Sequence, residues 1–309
     1  MPLVGGMLLG ILCGIPSTMQ GQQTHLLVVA GLSGAPEFRT RFDSVARALG
    51  TAATQRWGVR DASLIVLGED SVRTAGYTGR STREQVGQAF VQLSRQVQPG
   101  DLLLVVLMGH GSGDGAQSKV NLPGPDATAQ EYAAWLAPFA RQQVVFVNAA
   151  TGSGDFVPVL AGAGRVVMSA TRTAMERNDS EFLRRFTEAV VSDAADADKD
   201  GRVSVLEAFR LARSEVARSY ERSNRLLTEH AVLSDSVLAG RITLGRQATA
   251  PNAAVAALMA ERQALESRVA ALRTQKATMD AASYAAELER LLLAIAEKTA
   301  AIKAAGGGT

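Results

Sequence analysis

The chain has 309 residues, of which 47% are apolar and 20% are charged, and its formal net charge is +2 at pH 7. This composition is typical of a globular protein with a sizeable core, and the length is enough for one large domain or two modest ones. The net charge is small and basic residues are interleaved with acidic ones, so no nucleic-acid partner is expected.

The first 21 residues have the character of an export signal. Residues 1–15 form an apolar run too short to span a membrane comfortably, and small and polar residues follow it where a signal peptidase could cut. The run lacks the usual basic residues at its start, which a wrongly chosen start codon would explain; a buried first strand is the alternative. We expect residues 1–21 to be removed and the protein to be exported, to the periplasm or beyond. Cys13 is the only cysteine, so the mature chain would have neither disulfides nor thiol chemistry.

Between residues 22 and 190, short apolar runs alternate with helical stretches. The runs are continuous in Leu, Val and Ile, as expected of parallel strands that are buried on both faces. Thr82, followed by Glu84 and then by periodic apolar positions, indicates a helix start. The alternation predicts an α/β fold with a mostly parallel sheet sandwiched between helices. The predicted strands are 25–30, 63–67, 101–108, 143–147 and 165–170, and the predicted helices are 38–49, 82–98 and 129–140.

Three predicted strands end in glycine-rich turns. These turns are residues 31–34 (GLSG), 109–113 (GHGSG) and 148–154 (NAATGSG). In an open parallel sheet, ligands bind at the carboxyl ends of the strands. Over roughly residues 25–190, the three turns in this order resemble those of the legumain-type cysteine peptidases, relatives of caspases and gingipains. The resemblance implies a caspase/legumain-like sandwich, with His110 as the general base and the Gly111 amide in the oxyanion hole.

The chain departs from this family at the nucleophile. Ala150 stands at the position that matches the catalytic cysteine, and Ser33 replaces the asparagine expected after the first strand. Alanine has no nucleophilic group, so peptidase chemistry based on a thiolate is excluded if the match holds. We therefore expect a pseudoenzyme, a binding or scaffold module whose cleft holds a peptide or protein partner.

An alternative is a hydrolase with a nucleophile other than cysteine. His110 would again be the base, and Ser153 is the first candidate for the nucleophile. Further hydroxyls on the same turns belong to Ser112 and Thr151, and the orienting acid would be Asp114 or Asp155. The plainer interpretation is that the glycines serve only tight backbone turns and that His110 is a hydrogen-bonded loop residue.

Residues 196–207 (DADKDGRVSVLE) have the pattern of an EF-hand calcium loop. Ca²⁺ prefers about six to eight oxygen ligands, and Gly201 permits the sharp bend that brings them together. Amphipathic stretches at 181–190 and 205–220 would give helix–loop–helix, and a single such loop indicates a structural or weak site rather than a sensor. The alternative is a solvated, Asp-rich helix cap. The predicted ligands are Asp196, Asp198, Asp200, the backbone carbonyl of Arg202, Ser204 through a water molecule, and Glu207 through both carboxylate oxygens.

The C-terminal part predicts a helical hairpin or coiled coil. The calcium loop and a following helix to about residue 227 occupy 191–245, and a cluster of helix breakers at 248–252 separates them from residues 253–305. In this last segment, apolar residues recur at three- and four-residue spacing in two runs, with a turn at 278–280 between them. Such a hairpin would pack against the domain, bind a partner or mediate self-association.

The other two histidines give no sign of a zinc site. His25 and His230 stand apart from carboxylate clusters along the chain. Neither has the ligand spacing that zinc requires.

Overall fold

The computed structural model describes residues 22–70, 76–198, 201–244, 253–276 and 278–305. They form an α/β fold with a seven-stranded, mostly parallel sheet flanked by helices, as the alternating pattern predicts. The strands are β1 (Thr24–Ala30), β2 (Leu64–Gly68), β3 (Gly79–Arg80), β4 (Leu102–Met108), β5 (Gly111–Ser112), β6 (Lys119–Val120), β7 (Ala127–Thr128), β8 (Gln143–Asn148), β9 (Arg165–Ser169), β10 (Val203–Ser204), β11 (Val232–Leu233) and β12 (Thr243–Leu244). The α-helices are α1 (Pro36–Gln55), α2 (Arg83–Gln96), α3 (Ala129–Leu136), α4 (Phe156–Leu160), α5 (Phe182–Val190), α6 (Val205–Arg222), α7 (Ser236–Ala239), α8 (Ala253–Thr274) and α9 (Ala281–Ala304).

The large sheet has the strand order β11-β9-β8-β4-β1-β2-β3. Neighbours are parallel, except that β11 runs antiparallel to β9 at one edge. All five strands predicted from sequence are present, within a residue of their predicted ends. The two-residue strands were not predicted, because two residues are too few to show a periodic pattern.

The strands are apolar on both faces because helices cover both faces. In β1, Leu26 and Val28 belong to a hydrophobic cluster shared with α1, α5 and α6. Leu27 and Val29 belong to a second cluster, shared with α2, α3 and α4. Successive side chains of a strand point to opposite faces, so a continuous apolar run is what a doubly covered strand requires.

Local capping sets the helix starts. The Thr82 side chain accepts a hydrogen bond from Gln85 N at the start of α2, which confirms the predicted boundary. At α3, Thr128 and Glu131 form a capping box, in which each side chain bonds the backbone of the other residue.

Helix α6 ends at Arg222, earlier than the predicted end near residue 227. Asn224 has φ of 50°, in the left-handed region that commonly terminates helices. The Arg225 amide bonds the Tyr220 carbonyl across this turn. The apolar residues that follow therefore lie outside the helix.

Helices α8 and α9 pack against each other where the sequence predicts two helical runs. Val269, Leu272 and Leu291 form their shared core. An ion pair joins Arg268 to Glu287 at 3.4 Å, and a second joins Glu261 to Lys298, so the helices run antiparallel. Among the residues described, no helix has the length and apolar character to cross a membrane. The predicted signal peptide (1–21) and the breaker cluster (248–252) lie outside the described residues.

Candidate functional site

The strand order reverses between β1 and β4, at the middle of the sheet. From β1 the chain passes through α1 to β2 on one side, and β4 then lies on the other side of β1. Open α/β sheets bind ligands at such a reversal, outside the carboxyl ends of the strands, and the region where the segments that leave β1 and β4 meet is here called the crevice. Ser33 lies in the first of these segments and His110 in the second.

His110 spans this crevice. Its Nε2 lies 3.1 Å from the carbonyl oxygen of Ser33. A carbonyl can only accept, so Nε2 is the donor of this hydrogen bond. The ring packs edge-on against Phe38, with centroids 4.8 Å apart. The crevice thus holds a positioned, half-buried imidazole.

The turn after β8 lies against the segment that contains His110. The Gly111 amide donates to Thr151 Oγ1 at 3.3 Å. A Cβ on Gly111 would lie 2.3 Å from the Thr151 carbonyl oxygen, so only glycine allows this approach. Ala150, at the position matched to the nucleophile, is fully buried. The segments that the resemblance places together are adjacent, but the amide it assigns to the oxyanion hole is bonded to a threonine.

The hydroxyl groups considered as nucleophiles make hydrogen bonds within the protein. Ser153 is 1% exposed, and its Oγ accepts from Ala170 N at 3.1 Å. Ser112 Oγ donates to Asn121 Oδ1 at 2.9 Å and is half-buried. Of the two, Ser112 is the more accessible.

Asp155, one of the two candidate orienting acids, caps a neighbouring loop. Its Oδ2 accepts from Gly115 N at 2.6 Å and lies 3.4 Å from Ser118 Oγ. Asp114 is exposed at the start of the same loop. Asp155 thereby braces the chain that follows the turn containing His110.

A network of charged side chains borders the crevice beside β2, and sequence reasoning missed it. Ser33 donates to Glu69 Oε2 through its amide at 3.1 Å and through its hydroxyl at 2.6 Å. Arg39 pairs with Glu69 at 3.1 Å and with Asp70 at 2.6 Å, and the hydrogen bond to Asp70 raises the pKa of the guanidinium. These residues border a small cavity that Phe42 and Tyr77 also line. An acidic pair directly after a predicted strand was the available signal.

His25 and His230 are far from carboxylate clusters in sequence, but each lies beside a carboxylate in the structure. His25 Nε2 lies 3.4 Å from Asp101 Oδ2, and burial lowers the pKa of this histidine. His230 Nδ1 lies 2.7 Å from Glu176 Oε1. The partners are 76 and 54 residues away in sequence, which local patterns do not reveal.

The second candidate site is the loop between α5 and α6. Asp196, Asp198 and Glu207 each bring a carboxylate oxygen within 4.8 Å of the others, so this cluster could hold a metal ion. Asp196 Oδ2 accepts from Gly201 N at 3.0 Å, and Gly201 has φ of 81°. The glycine therefore bends the loop as the motif requires. Asp200 lies outside the described residues.

The end of the loop is the N-terminus of α6. Ser204 caps the helix, and Glu207 Oε2 accepts from its amide at 2.8 Å and from its hydroxyl at 2.7 Å. Glu207 Oε1 accepts from Ala197 N at 2.9 Å, so this carboxylate reaches back over the loop. Arg202, half-buried, directly precedes β10. Carboxylate oxygens carry several lone pairs, so they can accept a hydrogen bond and still ligate an ion. The oxygen-only donor set suits a hard cation such as Ca²⁺.

Comparisons with known proteins find a structural similarity but no family. No protein-family model matches it, and no curated protein matches it. A crystal structure of protein GSU0716 from Geobacter sulfurreducens, a structural-genomics target, is similar with a TM-score of 0.44 and 12% sequence identity. The similarity covers 75% of this chain and 96% of that one. It identifies no family and assigns no function.

Proposed function

We propose that this is an exported calcium-binding protein. In this proposal, residues 196–207 form an EF-hand loop that is attached to a caspase/legumain-like domain without a nucleophile. The observation that carries the proposal is the convergence of Asp196, Asp198 and Glu207 on one point, with Gly201 bending the loop between them. The Arg202 carbonyl, a water on Ser204 and the carboxylate of Asp200 would complete the oxygen shell.

Aromatic packing joins the helices that flank the loop. Phe182 lies 5.7 Å from Phe186 and 6.0 Å from Phe209, centroid to centroid, which joins α5 to α6 through an aromatic cluster. This packing holds the two ends of the loop relative to each other. A bound calcium ion would brace the helix pair and stabilise the fold by about 2.7 kcal/mol at a hundredfold excess over Kd.

A calcium titration tests this proposal. We would measure heat of binding and thermal melting for residues 22–309, for Glu207→Gln, and for Glu221→Gln as a control that removes an exposed carboxylate from the same helix. We expect one saturable site that raises the melting temperature in the wild type and the control, and no site in Glu207→Gln. Lack of binding to the wild type at millimolar calcium would refute the proposal.

The α/β domain is proposed to be a binding or scaffold module for a peptide or protein. The reversal of strand order at the crevice supports this role, together with the contact between Gly111 and Thr151 and the burial of Ala150. We expect Leu32→Glu, at an apolar residue beside the crevice that is 36% exposed, to abolish capture of peptides from an array. The control Val91→Glu, on the exposed face of α2, should bind as the wild type does. Equal peptide binding by both variants would show that the crevice is not the binding site.

The second candidate is a hydrolase with His110 as base. The half-buried Ser112, two residues from His110, favours it over a purely structural turn. Turnover of peptide or ester libraries that disappears in His110→Ala would support this function, whether the nucleophile is Ser112 or Ser153. No turnover and no labelling by serine-reactive probes would exclude it.

A further inference from the structure

Residues 232–244, here named the bridge segment, connect the large sheet to the calcium loop. At one end, β11 pairs with β9, with Leu233 opposite Met168. Ser234 extends this contact: its amide donates to the Val167 carbonyl and its hydroxyl accepts from Val167 N, both at 2.9 Å. The start of the bridge segment is therefore part of the large sheet.

The other end of the bridge segment pairs with the calcium loop itself. Strand β12 runs antiparallel to β10, with Leu244 opposite Val203 and Thr243 opposite Ser204. The Val205 amide donates to the Ile242 carbonyl at 2.9 Å. Strand β10 lies between Arg202 and the start of α6, so it sits among the proposed ligands at the end of the loop.

The middle of the bridge segment is compact and well anchored. Asp235 caps α7, accepting from Leu238 N at 2.8 Å. Ala239 is 0% exposed, Ile242 2% and Leu244 7%. These three side chains belong to the same hydrophobic cluster as the apolar residues of the loop and of α6. Moving β12 would therefore disturb both a backbone ladder and a buried cluster.

We propose that the bridge segment couples calcium occupancy of the loop to the edge of the large sheet, with Ile242 and Leu244 as positioning residues. This inference rests on the proposed calcium site. Bound calcium holds the chain on both sides of β10, which restrains β12 and, through α7, β11. Coupling between two sites is reciprocal, so loosening the bridge segment at β11 weakens calcium binding.

Hydrogen exchange measured by mass spectrometry on residues 22–309, with and without calcium, tests the coupling. We expect calcium to slow exchange in peptides covering 203–205, 242–244 and 232–234. Ser234→Ala removes the hydroxyl that Val167 N donates to, and we expect it to raise the calcium Kd about two- to fivefold although it does not touch the loop. Leu244→Ala should raise it about tenfold or more. Leu226→Ala, at a side chain that is 88% exposed, is the matched control and should bind as the wild type does.

The outcomes separate the two proposals. If the wild type binds calcium but exchange of 232–244 does not change and Ser234→Ala has wild-type affinity, the coupling is wrong and the calcium site stands. If the wild type binds no calcium, both are wrong. If Leu244→Ala does not fold, the affinity of Ser234→Ala and the exchange of the wild type decide the question.

Discussion

A thiol introduced at Ala150 would test how accessible the turn after β8 is. Residues 22–309 contain no cysteine, so Ala150→Cys would carry the only thiol in that part of the chain. Ala150 is fully buried, in the same hydrophobic cluster as Tyr132 and Phe146. Adding a sulfur atom to so tightly packed a site costs about 1–3 kcal/mol. For a domain of this size, that lowers the melting temperature by about 2–12 °C.

We expect this variant to have no peptidase activity. Burial in apolar surroundings raises the pKa of a thiol, and the thiolate is the nucleophile. The Gly111 amide, which would stabilise an oxyanion, is bonded to Thr151 Oγ1. The variant would therefore bury its thiol, and the Gly111 amide already donates a hydrogen bond within the protein.

Alkylation kinetics and peptide turnover measure these effects. Ala161→Cys, which places a single thiol at an exposed position after α4, is the control and should react with iodoacetamide much faster than Ala150→Cys. Fast alkylation of Ala150→Cys, or peptide turnover that is lost when His110→Ala is added, would refute the view that this turn is closed.

Three further predictions concern stability and assembly. Thr128→Ala removes the cap of α3 and should lower the free energy of unfolding, measured with urea, by about 1 kcal/mol. Thr54→Ala, at an exposed helix threonine, is the control and should lower it less. Equal losses of stability in the two variants would contradict the capping argument. Burial raises the pKa of Glu229, whose carboxylate accepts from Phe182 N at 3.1 Å. The stability that its protonation contributes is therefore complete below its ordinary value of 4.5 and is lost as pH rises through the folded-state value. Unfolding of wild type and Glu229→Gln across this range should show a difference that changes with pH, and a constant difference would disprove the assignment. We also propose that the α8–α9 hairpin mediates self-association, because Leu292 and Leu293 on α9 are 47% and 59% exposed. Deletion of residues 253–309 should lower the molecular mass measured by light scattering. If the full chain and the deletion variant are both monomers, the proposal is wrong.

The runs of apolar residues in the sequence predict the main strands of the large sheet well, because these strands are buried on both faces. Every position of β1 and β4 is buried, and each strand contains a continuous apolar run, which begins at Leu26 in β1 and covers the whole of β4. The short strand β11 has no such signature. It exists because β9 offers an open edge, and its partner residues lie more than sixty positions away along the chain.

The two candidate sites also differ in how well the sequence predicts them. The calcium loop is recognisable from sequence because its ligands come from twelve consecutive residues, and the convergence of Asp196, Asp198 and Glu207 agrees with that spacing. The crevice is different, because its residues come from segments far apart in sequence. Glu69 reaches Ser33 across 36 residues, and Thr151 reaches Gly111 across 40.

The sequence by itself determined the strand runs, the EF-hand pattern and the absence of a cysteine from residues 22–309. Each of these depends on residue type at close spacing, which follows directly from backbone periodicity and side-chain chemistry. Only the tertiary structure decided that Ala150 is sealed from solvent, that Ser153 faces Ala170 and that the bridge segment joins β9 to β10. Those facts depend on contacts between distant segments, which form only when the helices and strands pack into one core.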